Sequence, residues 1–198
     1  MKFLFLSPYG VIDDWRFFEL QLQEILSLNN EIHIIGCRGT LKKSCIAIKA
    51  HSNFYKKNYL KEKICKRCVK NQHDYKKNYK IFYIEDYINK SDKLLLNVEL
   101  SKININNFTD YRFEDLEIGK ISLFENLLIF KKNDLKFTLS EFEIIKNTIF
   151  DTLLFYLAIK KIYKISNPDI GISQNGSYSL SKLFNNFLIQ KKKKSYAW

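Results

Sequence analysis

The first 36 residues constrain the architecture more tightly than anything that follows them. "KFLFLSPYG" is a short apolar strand that runs into a loop with Pro and Gly, and "EIHIIG" is a second strand with no polar alternation, bounded by Gly36. Between them, "DDWRFFELQLQEILSLNN" places Trp15, Phe18, Leu22, Ile25 and Leu26 at helical spacing. Asp13 or Asp14 can cap that helix and Asn29-Asn30 can end it. Strand, helix and strand in so short a span open a right-handed βαβ unit. The spacing therefore predicts an α/β fold, a Rossmann-like parallel sheet with flanking helices.

The pattern breaks over about residues 37–80, which hold every cysteine, many lysines and no sustained period, and which read as an insertion between sheet elements. Residues 81–107 read equally as strand or helix. A helix is predicted around Ile118 to Phe130. The strongest one follows, with Thr138 or Ser140 as cap, Glu141 or Glu143 behind it, and a stripe of Phe142, Ile145, Ile149, Leu153, Tyr156 and Ile159. Asn167-Pro168 stops it. "DIGIS" is then a strand, "QNGS" a turn, "YSLSKLFNNFLIQKKKK" a helix, and "SYAW" the start of a further strand. Residues 1–198 form one Rossmann-like unit on this reading.

Cys37, Cys45, Cys65 and Cys68 have the ligand count of a closed structural site. A Cys-x2-Cys pair in a tight turn can offer two thiolates to one ion, so Zn²⁺ is expected, with a [4Fe-4S] cluster as the alternative and His51 or His73 as rival ligands. The null is four ordinary reduced thiols. Catalysis by a cysteine is disfavoured, because no histidine stands in a pattern that would activate it.

The apolar run Phe3 to Leu6 is too short for a secretory signal, and no segment reaches the roughly 18 apolar residues of a membrane span. A cytoplasmic location is expected. The net charge is +12, but it comes from 29 Lys against four Arg, beside 18 Asn and 25 Ile, a bias toward A- and T-rich codons. Phosphate and base recognition recruits Arg for its bidentate fork, so nucleic acid is not the expected partner. Lysines at 56–57, 76–77 and 191–194 are the candidates for peripheral contact with anionic lipid at the inner face of the membrane.

Loops beyond the carboxyl ends of parallel strands are where such sheets bind ligands. Ser7, Tyr9, Gly10 and Trp15 occupy that place after the first strand, and Asn175, Gly176 and Ser177 after the strand "DIGIS". Helix capping by Asp13 and Asp14, and an ordinary Asn-Gly turn, are the competing readings. Taken together, the first strand and loop, Trp15 followed by Glu19, the cysteine spacing, the "EIGK" segment with Gly119 and the "NPDIGISQNGSYS" strand and turn resemble the N-terminal half of bacterial GT-B-type glycosyltransferases of capsule and surface polysaccharide synthesis. That resemblance implies an acceptor-side lobe with a glycan acceptor, in which Asp13 or Asp14 serves as general base and the loop residues named above bind the acceptor. It implies a nucleotide sugar only where a C-terminal lobe or partner chain is supplied, so the chain is expected to be incomplete alone. The alternative function is a zinc-containing basic nucleic-acid-binding module.

Overall fold

In a computed structural model the chain is described over residues 1–55, 59–73 and 79–198, with side chains described outside 51–60 and 73. Five strands form one wholly parallel sheet: β1 (Lys2–Leu6), β2 (Glu31–Gly36), β3 (Lys80–Tyr83), β4 (Ile170–Ser173) and β5 (Lys194–Ala197), in the order β3-β2-β1-β4-β5. The central strand carries Leu4 and Leu6 into the main core and Phe3 and Phe5 into a smaller one on the opposite face. Burial on both faces is why β1 and β2 lack polar alternation. The chain leaves β1 toward β2 on one side and returns on the other with β4, so the sheet's topological switch point lies between β1 and β4.

The smaller core is covered by α1 (Asp13–Ser27). Its rotation differs from the stripe read in the sequence: Phe18 is 46% and Ile25 66% exposed, whereas Glu19 and Gln23 are buried. The inward face runs Trp15, Glu19, Gln23 at four-residue steps. Asp13 and Asp14 lie in the helix's first turn, but the capping position is Ile12, and neither carboxylate caps it.

The main core is organised around α7 (Leu139–Ser166), entered through a reciprocal capping box of Thr138 and Glu141 and left through Asn167 in a left-handed conformation. Its middle is buried all round from Asp151 to Ala158, because α4 (Lys90–Ser101), the short helices α5 (Ile118–Ile121) and α6 (Phe124–Phe130), and α8 (Ser179–Gln190) pack on it. Residues 81–107, ambiguous in sequence, divide into β3, a 3₁₀ turn and α4, whose start is fixed by a capping box of Asn89 and Asp92. Gly119 marks the tightest approach: a Cβ there would lie 1.8 Å from the Phe108 carbonyl oxygen. Backbone must move to admit it, so Gly119→Ala is expected to cost about 3 kcal/mol. A melting curve should show a Tm lower by about 6–12 °C, and a shift under about 2 °C would refute the contact.

The region between β2 and β3 is helical where it is described, as α2 (Ile46–Tyr55) and α3 (Tyr59–His73). Cys65 and Cys68 therefore sit on a helix, not in a turn, and their three-residue spacing places them on one face. No described helix is long and apolar enough to cross a membrane. Lys56, Lys57, Lys76 and Lys77 and the side chains of His51 and His73 lie outside the described residues.

Candidate functional site

The ends of β1 and β4 are tied together at the switch point through Glu19, which Ser7 and Gln174 both reach, while Asn175 and Gly176 lie outside that contact. Ser7, Pro8, Tyr9 and Gly10 are all buried. Below them Ser7 donates its hydroxyl proton to Glu19 Oε1, Gln23 donates to the same oxygen at 3.4 Å, and Gln174, at the end of β4, donates to Oε2 at 3.0 Å. Burial pushes the Glu19 carboxyl up to about 8 against the pull of those three donors, which favour its ionised form. One carboxyl thus joins the ends of both strands to α1. It is also a base within reach of a serine hydroxyl, the pairing that activates a nucleophile.

A second polar cluster lies on the Tyr9 side. Asp151 of α7 accepts from the Ser44 backbone N–H and hydroxyl, each at 2.8 Å, while its other oxygen is buried with no hydrogen-bond partner among the described residues. Burial raises its carboxyl to about 6. Glu125 of α6 accepts from the Ser179 N–H at 3.0 Å and from its hydroxyl, and so binds the free N–H end of α8; burial raises it too. Lys49 donates to Thr148 at 3.1 Å and Asn126 at 3.3 Å, and desolvation lowers its ammonium. Burial holds the Tyr9 phenol protonated, well above its usual range, with Cys45, Glu125, Cys37 and Asp151 adding to the shift. The cluster opens to solvent through a pocket of about 270 Å³ bounded by Lys49, Glu125, Leu128 and Tyr178. A chain of ring contacts connects the Tyr9 loop with Tyr178 at that pocket: Tyr9 to Trp15 at 6.3 Å, Trp15 to Tyr178 at 6.1 Å, and Tyr178 to Phe124 at 5.6 Å.

The other expected residues take outer positions. Asn175 has positive φ, accepts from the Ser177 N–H at 3.2 Å, and donates its own N–H to the Trp198 carbonyl at 2.9 Å. Gly176 faces Ala197 and Asn185. Asp13 and Asp14 are exposed, and Asp13 pairs with Arg67 at 3.3 Å. Glu125, Asp151 and Lys49 were not singled out in the sequence. Their signal is a charged residue on the buried face of an otherwise apolar helix, as Asp151 shows between Ile149 and Leu153.

The four cysteines converge on one cavity. All four line one narrow apolar cavity of about 20 Å³ with Leu41, Ala47 and Ile64. Cys68 is occupied by the Gly10 N–H at 3.2 Å and by the Pro8 carbonyl, and Cys37 by the Gly39 N–H at 3.3 Å. Burial raises all four thiols, Cys45 to about 12. Among the described residues, no group of three His, Cys, Asp or Glu side chains is arranged to hold a metal ion. The described residues therefore give no support to the zinc expectation, nor to the zinc-containing nucleic-acid-binding module.

Compared with protein-family models and with curated proteins, the chain matches none. Among solved structures it is similar to a CDPS, a cyclodipeptide synthase, from Fluoribacter dumoffii, at 14% identity and TM-score 0.58, over 99% of this chain and 89% of that one. AlbC, a cyclodipeptide synthase from Streptomyces noursei, aligns over 100% of this chain and 94% of its own at 8% identity and TM-score 0.46. A tyrosyl-tRNA synthetase from Archaeoglobus fulgidus, complexed with L-tyrosine, aligns at 11% identity and TM-score 0.47, over 98% of this chain and 51% of that one. The fold is thus that of the Fluoribacter dumoffii protein. The resemblance to a GT-B glycosyltransferase lobe, with its glycan acceptor and nucleotide sugar, is overturned by that similarity.

Proposed function

We propose that this chain joins aminoacyl groups carried on tRNA into a cyclodipeptide. The observation that carries the reading is a fold shared end to end with a cyclodipeptide synthase, together with a buried Ser–carboxyl pair at the switch point of that fold and a pocket bounded by Lys49, Glu125 and Tyr178. Cyclodipeptide synthases use aminoacyl-tRNAs, so the partner is a nucleic acid, and the discount placed on the +12 charge is corrected with it.

The residues support a division of labour. Ser7 attacks the carbonyl carbon of an aminoacyl ester, its proton passes to Glu19, the ester C–O bond breaks, and the RNA hydroxyl leaves with that proton returned from Glu19. Glu125, which lines the pocket, and Asp151, whose second oxygen has no hydrogen-bond partner among the described residues, are the acceptors assigned to an α-ammonium group. Trp15, Tyr178 and Phe124 give that end of the crevice apolar walls.

Helix α3 fits an RNA backbone. Lys61, Lys63, Lys66, Arg67 and Lys70 are exposed along it, with Glu62 as the one acid among its described side chains. Lys is adequate for phosphates, which are met as point charges without base readout. The test is aminoacyl-tRNA binding as a function of salt, for the wild type and for a Lys63→Glu/Lys66→Glu/Lys70→Glu variant. The wild type should show a log–log slope of several units, and the variant should bind at least about tenfold more weakly with a shallower slope. Salt-independent binding, or equal affinity for both, would count against the reading.

A further inference from the structure

Ser7 is completely covered, yet the reading above requires an ester to reach it. The chain continues from it as the buried loop Pro8-Tyr9-Gly10, and what holds that loop is α3. Gln72 is 1% exposed and bridges two loops: its Nε2 donates to the Pro8 carbonyl at 3.1 Å, and its Oε1 accepts the Cys37 N–H, just past β2, at 2.9 Å. One residue earlier, Asn71 donates to the Gly10 carbonyl at 2.8 Å. One turn back, Cys68 accepts the Gly10 N–H, and a Cβ on Gly10 would stand 2.6 Å from the Cys68 carbonyl oxygen. The inner face of α3 is thus bonded to both sides of the Ser7 loop, while its outer face carries the lysines. A helix bonded this way cannot shift without moving the loop, because each broken bond would strand a buried polar group.

We infer that Asn71 and Gln72 are positioning residues that couple docking of an RNA on the basic face of α3 to placement of the Ser7 loop. The inference rests on the RNA-dependent reading above and goes beyond it, by naming the link between the binding face and the nucleophile. Neither side chain touches substrate. Gln72 sets the loop from below, and Asn71 holds its far end.

The informative variant is Gln72→Glu, nearly equal in shape, which keeps an acceptor for the Cys37 N–H and removes the donor to Pro8. Asn71→Ala, half-buried and easier to accommodate, tests the other end. Two readouts separate the inference from the function. In the first, turnover by each variant should fall about 10- to 100-fold, the range for a misplaced reacting group, while affinity for aminoacyl-tRNA stays within about twofold of wild type. In the second, which needs no turnover, hydrogen exchange at the amides of residues 7, 9 and 10 is followed with uncharged tRNA added. Wild type should change its exchange there on binding RNA, and Gln72→Glu should bind RNA without that change. If RNA binds and the loop's exchange stays the same in wild type, or if turnover and affinity fall together, the coupling is wrong. Coupling without product would leave it standing and overturn the synthase reading, and absence of RNA binding would overturn both. Should Gln72→Glu fail to fold, Asn71→Ala carries both readouts.

Discussion

Ser7→Ala is expected to reduce cyclodipeptide formation by at least about 10³-fold while leaving affinity for aminoacyl-tRNA unchanged, the signature of a lost nucleophile. The position dictates it. Ser7 stands at the carboxyl end of the central strand, next to the switch point, with its hydroxyl on a carboxylate that no other hydroxyl bonds among the described residues. Deleting the hydroxyl also takes one of three donors from a buried carboxyl, so a stability cost of about 1–3 kcal/mol is expected alongside. The two effects separate in a melting curve and a binding isotherm. Activity within about tenfold of wild type, in a folded variant, would remove Ser7 from the chemistry.

Glu19→Gln should alter the pH dependence of both activity and stability. In the folded chain the Glu19 carboxyl holds its proton up to about pH 8, so the base form that serves Ser7 grows in as pH rises through that value. Wild-type turnover should climb across pH 7 to 9, and the variant should lose that limb with most of its activity. For stability the sign is the reverse. The unfolded carboxyl, with an ordinary value of 4.5, gives up its proton long before the folded one does. The folded state therefore binds more protons between about pH 4.5 and 8, and stability from this group, full below 4.5, drains away as pH rises to 8. Gln removes the ionisation, and Gln174 can turn its amide to accept from it, since Gln174 Oε1 has no partner among the described residues. Relative to wild type the variant should gain stability from pH 5 to pH 8, on the order of a few kcal/mol, at roughly 2–4 °C of Tm per kcal/mol. A wild-type-minus-variant Tm that is flat across pH would show that Glu19 is not the buried proton carrier described.

Much of the frame was legible. The unalternating strands around Leu4 and Ile34, the capping box at Thr138 and the Asn167-Pro168 stop are local signals, and each element formed where its signal lay. The loops holding Ser7 and Asn175 were located by the same logic, since strand ends and Gly- or Asn-bearing turns are visible in sequence. Other features depend on contacts between distant segments. The rotation of α1 is one: Phe18 and Ile25 look like core residues by spacing, but Gln174, 155 residues from Glu19, supplies the partner that makes Glu19 the buried one. The cysteine spacing is another. It matched a metal turn, while the helical propensity of the surrounding Lys, Glu, Ile and Gln residues placed Cys65 and Cys68 on α3, where Cys68 bonds the Ser7 loop. On the proposed function, composition is a poor guide to the partner as well. The scarcity of Arg counts against base readout, but RNA held by its phosphates does not require that readout.

The most direct measurement is incubation of the purified chain with a mixture of charged tRNAs, followed by mass spectrometry of the small-molecule fraction and a count of the ester bonds remaining on the RNA. The account predicts a cyclic dipeptide, formed as two amino acids leave their tRNAs. Charged tRNA that is bound at saturation and still keeps its amino acids, with no dipeptide released, would contradict it.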